Sequence, residues 1–192
     1  MFNLNDASFG GGATVFNNGN TGKVENVKMS VLKKSSTDND NAPDYKLIFT
    51  DTTGAQLNTG FYYHKDNEMA DDKRNRDMET WLVSRVLSAA KSVVPSDFQF
   101  PEVTTSKEAL DSLFKIVKEN ADDKFVNVYV TYGTTSKPSQ YLGTRYFNFV
   151  EATDTPANMT RLKPSNTDLM EKMVADAPKT GSSDAPKASV EW

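Results

Sequence analysis

Hydrophobic and polar positions alternate in five stretches of the chain, which is the pattern of half-buried β-strands. The first stretch, 23–34, places Val27 and Met29 on one face and mostly polar side chains on the other. The remaining stretches are 45–51, 56–64, 124–132 and 140–151. Short turn-forming sequences separate the first three, so the pattern predicts a strand meander.

Between the third and fourth strands the apolar residues change to helical spacing. In 78–94 they fall on one stripe with Trp81 beside it, and Pro95 ends the helix. A second helix begins at Thr105, where Thr105 and Glu108 have the spacing of a capping box. The predicted order β1-β2-β3-α-α-β4-β5 is that of a five-stranded OB-fold-like barrel, a mostly β fold with a helical insertion (α+β).

Composition divides the chain into three parts. Residues 1–22 are rich in glycine and asparagine and predict a flexible arm, whereas 23–151 hold the predicted domain. Residues 152–192 predict a flexible, mildly acidic tail, dominated towards its end by Pro, Ser, Ala, Lys and Asp. Three phenylalanines of the arm can dock on the domain or a partner, or lie loose: Phe2, Phe9 and Phe16.

Charge and cysteine content narrow the classes of protein. The net charge is −4, so the overall balance does not itself point to nucleic acid, and the local distribution of charge has to be considered. The chain has no cysteine, which excludes disulfides and thiolate metal sites. The first residues lack the features of a signal peptide and no apolar run has the length of a membrane span, so we expect an intracellular protein with no membrane partner.

No motif in the sequence predicts catalysis. His64 is the only histidine, and no nucleophile motif accompanies it. The acidic stretch 38–44 lacks the glycine of a calcium loop, because Pro43 occupies that position. A phosphate-binding loop is also missing. We therefore expect a protein that is not an enzyme and has no catalytic residues, metal site or cofactor.

Aromatic and basic residues on the strands predict a nucleic-acid-binding surface. Where Val126 and Val128 face the core, Phe125 and Tyr129 point outward beside small polar residues, and such a face can stack on unpaired bases. Lysines nearby can pair with phosphates. Aromatic residues also favour strands and edge lysines oppose aggregation, which is the structural alternative. The candidate nucleic-acid-binding residues are Lys28, Lys33, Lys34, Lys46, Tyr62, Phe125, Tyr129, Lys137, Tyr141 and Arg145.

The fifth stretch, 140–151, is unusual because it carries aromatic residues on both faces. Arg145 shares one face with Phe147 and Phe149, whereas Tyr146 lies on the other. The pattern leaves open which face is the core.

The terminal pair Glu191-Trp192 has a different character: an acid followed by an aromatic residue with a free carboxylate can dock in a basic, apolar pocket of a partner, or can simply end a solvated tail.

The layout resembles the single-stranded DNA-binding proteins of bacteriophages, which have an OB-type core followed by a flexible tail with an acidic-aromatic tip. The matching stretches are KVENVKMSVLKK, YKLIFTD, LNTGFYYH, FVNVYVTY, YLGTRYFNFVE and SVEW. The resemblance implies coating of single-stranded DNA without sequence specificity during phage DNA replication, recombination and repair, in the cytoplasm of the bacterial host. It also implies recruitment of replication proteins by the C-terminal tail. The sequence leaves open whether the protein forms a homo-oligomer.

Two hypotheses from different classes follow. In the first, the protein binds single-stranded DNA without catalysis, and Tyr129→Ala weakens binding without unfolding the domain. In the second, it is a phage structural or assembly protein whose aromatic strands and termini form protein interfaces. Salt-sensitive binding to oligo-dT favours the first hypothesis, and a stable oligomer indifferent to oligonucleotide favours the second.

Overall fold

Six antiparallel strands form the sheet in the computed structural model, which describes residues 15–35, 37–39, 41–63 and 72–172. The strands are β1 (Gly22–Lys33), β2 (Tyr45–Thr50), β3 (Gln56–Phe61), β4 (Phe125–Thr134), β5 (Lys137–Thr144) and β6 (Val150–Ala152). The helices are α1 (Asp72–Lys91) and α2 (Ser106–Asn120). The mostly β class and the helical insertion between β3 and β4 are therefore confirmed.

The sheet has the strand order β3-β2-β1-β4-β5, and β6 pairs with β4 beside this path. It is open, because no backbone ladder joins β3 to β5 in the described part of the chain. In place of the expected five-stranded OB-fold-like barrel, the structure has an open sheet of six strands. β1 is central to it: a bulge between Val24 and Val27 lets its first half pair with β4 and its second half with β2.

The core lies between one face of the sheet and the two helices. Val27 and Met29 of β1, with Leu47 and Phe49 of β2, are almost fully buried, as their alternation predicts. Helix α2 contributes an apolar stripe that includes Phe114. Thr105 caps this helix as predicted, since its Oγ1 accepts a hydrogen bond from the Glu108 amide at 3.2 Å, while the Glu108 carboxylate accepts one from the Thr104 amide at 3.1 Å.

The structure differs from the predicted elements in several bounds. Helix α1 spans Asp72–Lys91 instead of 78–94, so it begins and ends earlier than its apolar stripe indicated. β3 ends at Phe61 rather than 64. The predicted strand 140–151 is divided into β5 and β6 by a turn at 145–149, where Asn148 has a φ of 48°.

Residues on both sides of the predicted domain 23–151 also pack against it. Phe16, from the predicted arm, is buried in the core. Leu162, from the predicted tail, is buried as well, and the Leu169 backbone exchanges hydrogen bonds with Tyr132 (2.8 Å) and Gly133 (3.1 Å) of β4. The rest of the arm, 1–14, and the rest of the tail, 173–192, which includes Glu191 and Trp192, lie outside the described residues.

Candidate functional site

The outward face of β1, β2 and β3 presents small, polar, basic and aliphatic side chains. Leu32, Lys46 and Gly60 form one cross-strand row, and Ser30, Ile48 and Asn58 form the next. None of these residues is buried, because the alternate positions of each strand supply the core. This face continues at its β3 side into a groove.

The groove has two lobes that meet at Gly60 and Arg85, which border both. The first lobe, about 720 Å³, lies between the β1–β2 loop, the end of β3 and helix α1. The second, about 680 Å³, lies between β3, the β4–β5 hairpin and the turn after β5. Residues that line only the first include Lys34, Asn41, Ala42, Asp44, Tyr62, Trp81 and Leu82. Residues that line only the second include Asn58, Thr59, Thr134, Ser136, Lys137, Gly143, Thr144, Tyr146 and Phe147.

Two glycines allow the loops to approach the groove. A Cβ at Gly60 would lie 3.1 Å from Pro43, so the bare backbone lets the β1–β2 loop cross the end of β3. Gly133 has a φ of 87°, and a Cβ there would lie 2.3 Å from the Lys137 carbonyl oxygen. The tight β4–β5 hairpin that carries Lys137 therefore requires glycine at this position.

Exposed aromatic rings form one wall of the groove. Trp81 of α1 stacks on Tyr146 with 4.3 Å between ring centroids and an interplanar angle of 17°. Phe147 meets the edge of Tyr146 at 4.8 Å. Tyr146 and Phe147 are about half exposed, as is Tyr62 in the first lobe. Because the turn at 145–149 interrupts the predicted strand, both neighbouring rings reach the groove.

Arg85 lies at the centre of this wall. Its guanidinium carbon is within 5.7 Å of the ring centroids of Phe61, Trp81, Tyr146 and Phe149. Nη2 makes long hydrogen bonds of 3.3 Å to Thr144 Oγ1 and to the Arg145 carbonyl oxygen, and Nε has no partner. Burial lowers the pKa of Arg85 to about 10, so the side chain is still protonated at neutral pH.

Asp111 of α2 fixes the outer wall of the first lobe. Its carboxylate accepts hydrogen bonds from the hydroxyls of Tyr45 and Tyr63 and from Lys107 Nζ. Partial burial opposes ionisation of Asp111, but these donors lower its pKa below the ordinary value. Burial, together with the hydrogen bond to Asp111, raises the pKa of Tyr63. Tyr63 thus stays a neutral donor, held next to the exposed Tyr62.

Several predicted residues come together at the groove. Lys34 and Tyr62 line the first lobe and Lys137 lines the second, while Lys46 lies on the adjoining sheet face. Tyr141, also on β5, is 82% exposed and lines neither lobe.

Other predicted residues lie elsewhere on the surface. Lys28 pairs with Phe125 across β1 and β4, and its Nζ lies 5.8 Å from the centre of that ring. Lys33 lies over the ring of Tyr45 and 3.8 Å from a carboxylate oxygen of Asp111. These positions do not border the groove.

Tyr129 and Arg145 were predicted to face DNA, and the structure corrects this. Tyr129 is 1% exposed, and the Arg145 guanidinium stacks 3.6 Å from the centre of its ring. Arg145 is also buried, with Nη2 2.6 Å from both a carboxylate oxygen of Asp168 and the Lys163 carbonyl oxygen. The segment 153–172 covers this face of β4, so both side chains are internal.

The prediction missed Trp81, Arg85, Tyr146 and Phe147. Trp81 was placed beside the apolar stripe of its helix, but Arg85, four residues later on the same face, was not considered. The spacing of an aromatic and a basic residue by four in a helix was the available signal. The adjacent rings of Tyr146 and Phe147 gave no such signal, because a continuous strand would have placed them on opposite faces.

Comparison with family models, with curated proteins and with solved structures found no match to this chain. Within the described ranges, neither helix has the length and apolar character that crossing a membrane requires. The same ranges contain no cluster of acidic or histidine side chains arranged to hold a metal ion. The function therefore has to be inferred from the groove.

Proposed function

We propose that the protein binds single-stranded DNA without sequence specificity, with the two-lobed groove as its binding site. The observation that carries the proposal is the combination of exposed rings and cations in the two adjoining lobes of the groove. The half-exposed rings of Tyr146 and Phe147 can contact bases, and Lys34 and Lys137 lie where phosphates would pass. Stacking on rings is tolerant of sequence because every base has a π-face.

The connectivity of the sheet supports an OB-type origin for this groove. OB folds are partly open five-stranded barrels that bind ligands on the β2–β3 face and with the β1–β2 and β4–β5 loops. Here the same loops supply Lys34 and Lys137 to the groove, and β3 supplies Gly60. Thr59 and Thr144, on the two open ends of the sheet, are joined by a hydroxyl hydrogen bond of 2.9 Å, which approximates closure.

The charge around the second lobe also suits a polyanion. Among the described residues that line it there is no carboxylate, whereas Lys137 and Arg85 are both present. The first lobe contains one, Asp44, but this side chain accepts a hydrogen bond from the Tyr63 amide at 2.7 Å. A protein with net charge −4 therefore has a locally cationic binding groove.

The wider role in phage replication, recombination and repair rests on the resemblance described above, as does recruitment of replication proteins through Glu191 and Trp192. Within this proposal the groove binds the strand and the terminus binds partners. Neither role requires a catalytic residue, a metal or a cofactor.

The test is a fluorescence titration with oligo-dT at two salt concentrations. Trp81 borders the groove, so stacked bases should quench its emission; a Trp192→Phe background removes the other tryptophan. We expect micromolar or tighter binding that weakens steeply with salt, since each phosphate contact contributes a slope of about −0.7 in log K against log salt. Tyr146→Leu should weaken binding by roughly 1–3 kcal/mol and leave the salt slope unchanged.

The matched control is Tyr141→Leu, which removes an exposed ring that lines neither lobe. It should bind oligo-dT as the native chain does. Binding that is absent or insensitive to salt would refute the proposal. A stable oligomer that ignores oligonucleotides would favour the structural or assembly protein instead.

A further inference from the structure

The junction of the two lobes holds the positive charge of Arg85. Within the described part of the chain, no carboxylate lies within ion-pairing distance of this guanidinium, which is surrounded by four aromatic rings. A guanidinium held among rings has lost much of its hydration, and only neutral oxygens at 3.3 Å replace it. The cation therefore has a strong electrostatic preference for an anion from outside.

The shape of the groove indicates where that anion can approach. Arg85 and Gly60 are the residues that border both lobes, so the two lobes adjoin at this point. Pro43 of the β1–β2 loop packs over Gly60, so an anion reaches the guanidinium from inside a lobe and not over the glycine. The wider parts of a ligand fit in the lobes.

Rings are available on both sides of the junction. Tyr62 is exposed in the first lobe, and Tyr146 with Phe147 is exposed in the second. Each lobe, at about 720 and 680 Å³, has the size of an ordinary small-molecule site. The arrangement ring, cation, ring matches the order base, phosphate, base along a single strand.

We propose that Arg85 is the phosphate anchor of the groove: it binds the phosphodiester at the boundary between the lobes, with the two flanking bases stacked in separate lobes. The inference rests on the proposed function and specifies its recognition unit, a dinucleoside monophosphate in a fixed register. Lys34 and Lys137 then contact the phosphates on either side through ammonium groups on flexible four-carbon stems. The anchor sets where the strand lies, and the rings set how tightly its bases bind.

The experiment compares thymidylyl-thymidine, which has one phosphodiester, with its uncharged methylphosphonate analogue. Binding to the full-length protein is followed by the indole N–H resonance of Trp81 in nitrogen-15 NMR, assigned by its loss in Trp81→Phe. We expect the charged dinucleotide to bind at least tenfold more tightly than the neutral one. Equal binding of the two dinucleotides would overturn the inference, and so would an unchanged Trp81 resonance at millimolar charged dinucleotide. This comparison uses the native chain and needs no substitution.

Variants then assign the preference to a side chain. In Arg85→Gln both dinucleotides should bind equally, and Arg85→Lys should keep part of the preference because the ammonium retains the charge. Lys115→Gln, on the exposed face of α2, should keep all of it. If Arg85→Gln still discriminates, or if Lys137→Gln abolishes the discrimination instead, Arg85 is not the anchor.

Titration with a twenty-nucleotide oligo-dT separates the two proposals. Binding of the long strand without a preference for the charged dinucleotide removes the phosphate anchor and leaves the proposed function standing. Failure to bind the long strand removes both.

Discussion

At the scale of single residues, the pair of Tyr129 and Arg145 attaches the C-terminal segment to the sheet. The guanidinium stacks on the ring and at the same time binds the Asp168 carboxylate at 2.6 Å. Both members of this salt bridge are buried, so each charge depends on the other for compensation. The pair is therefore a structural joint, and its side chains are not available to a ligand.

Tyr129→Ala is accordingly expected to destabilise the fold. Loss of the fully buried ring leaves a cavity beneath Arg145, and comparable substitutions cost about 3–5 kcal/mol. Urea unfolding followed by circular dichroism measures the change. Tyr141→Ala, which removes a ring that is 82% exposed, serves as the control and should stay within about 0.5 kcal/mol of the native chain. A stable Tyr129→Ala variant with weakened DNA binding would show that the ring contacts the strand after all.

At the scale of elements, Asp111 joins α2 to the ends of β2 and β3. Tyr45 begins β2 and Tyr63 follows β3, and both donate a hydrogen bond to this carboxylate. The rings also pack on the helix, since Tyr45 stacks on Phe114 with 4.2 Å between centroids. One acidic side chain therefore holds three elements at the outer wall of the groove.

The lowered pKa of Asp111 gives this joint a defined pH dependence. A depressed folded-state pKa means that the ionised side chain stabilises the fold above the ordinary carboxyl value of 3.8, and that this contribution is lost as pH falls through the lower folded-state pKa. Asp111→Asn should cost about 1–3 kcal/mol at pH 7. The difference in unfolding free energy between this variant and the native chain, measured by urea unfolding, should begin to narrow below pH 3.8.

Glu119→Gln provides the comparison on the same helix, because Glu119 makes only an exposed contact of 3.8 Å with Lys115. Its unfolding free energy should change little at any of these pH values. An Asp111→Asn difference that stays constant down to pH 2 would contradict the assigned cause.

The groove itself can be blocked through β5. Gly143 lines the second lobe, has an ordinary backbone conformation, and a Cβ there would have no atom within 4 Å. Gly143→Leu should thus keep the native stability but fill part of the groove and weaken oligo-dT binding at least tenfold, about 1.4 kcal/mol. Gln140→Leu places the same leucine side chain at an exposed position of β5 outside both lobes, and this variant should bind oligo-dT as the native chain does. Unaltered affinity in the glycine variant would place the strand elsewhere.

Local patterns predicted elements well where one face of a strand is buried. The alternation in β2 is reproduced residue by residue, from the buried Tyr45 to the half-buried Thr50. β4 behaves differently, because Val128 faces the core while Tyr129 is covered by the segment 153–172. The second face of β4 is buried by a segment that lies about 40 residues later in the chain. The alternation of residues within a strand does not contain this information.

The candidate site was predictable only in part for a related reason. The strand pattern already locates the loops that contain or adjoin Lys34, Tyr62 and Lys137. Their position at the groove therefore follows from the order of the elements. Trp81 and Arg85 reach it from a helix, and Tyr146 reaches it through a turn. Their positions depend on packing between elements that are distant in sequence.

At the scale of the whole molecule, the domain extends further along the chain than its composition suggests. Segment 153–172 is rich in polar residues and in proline, yet it contributes the buried Leu162 and half of the buried salt bridge. Its backbone also continues the sheet, because Leu169 pairs with Tyr132 and Gly133. A few well-placed contacts thus fix a segment whose average composition is that of a tail.

Two truncations test this boundary. A chain that ends at Lys172 keeps the contacts of Leu162 and Asp168, whereas one that ends at Ala152 loses them and exposes Tyr129 and Arg145 to solvent. Because burial of one large apolar side chain contributes about 1.5–3 kcal/mol, the shorter chain should be less stable by at least that amount. Both chains lack 173–192, so the comparison isolates the segment 153–172. Equal urea midpoints would mean that the segment is an appendage and that the domain ends near β6.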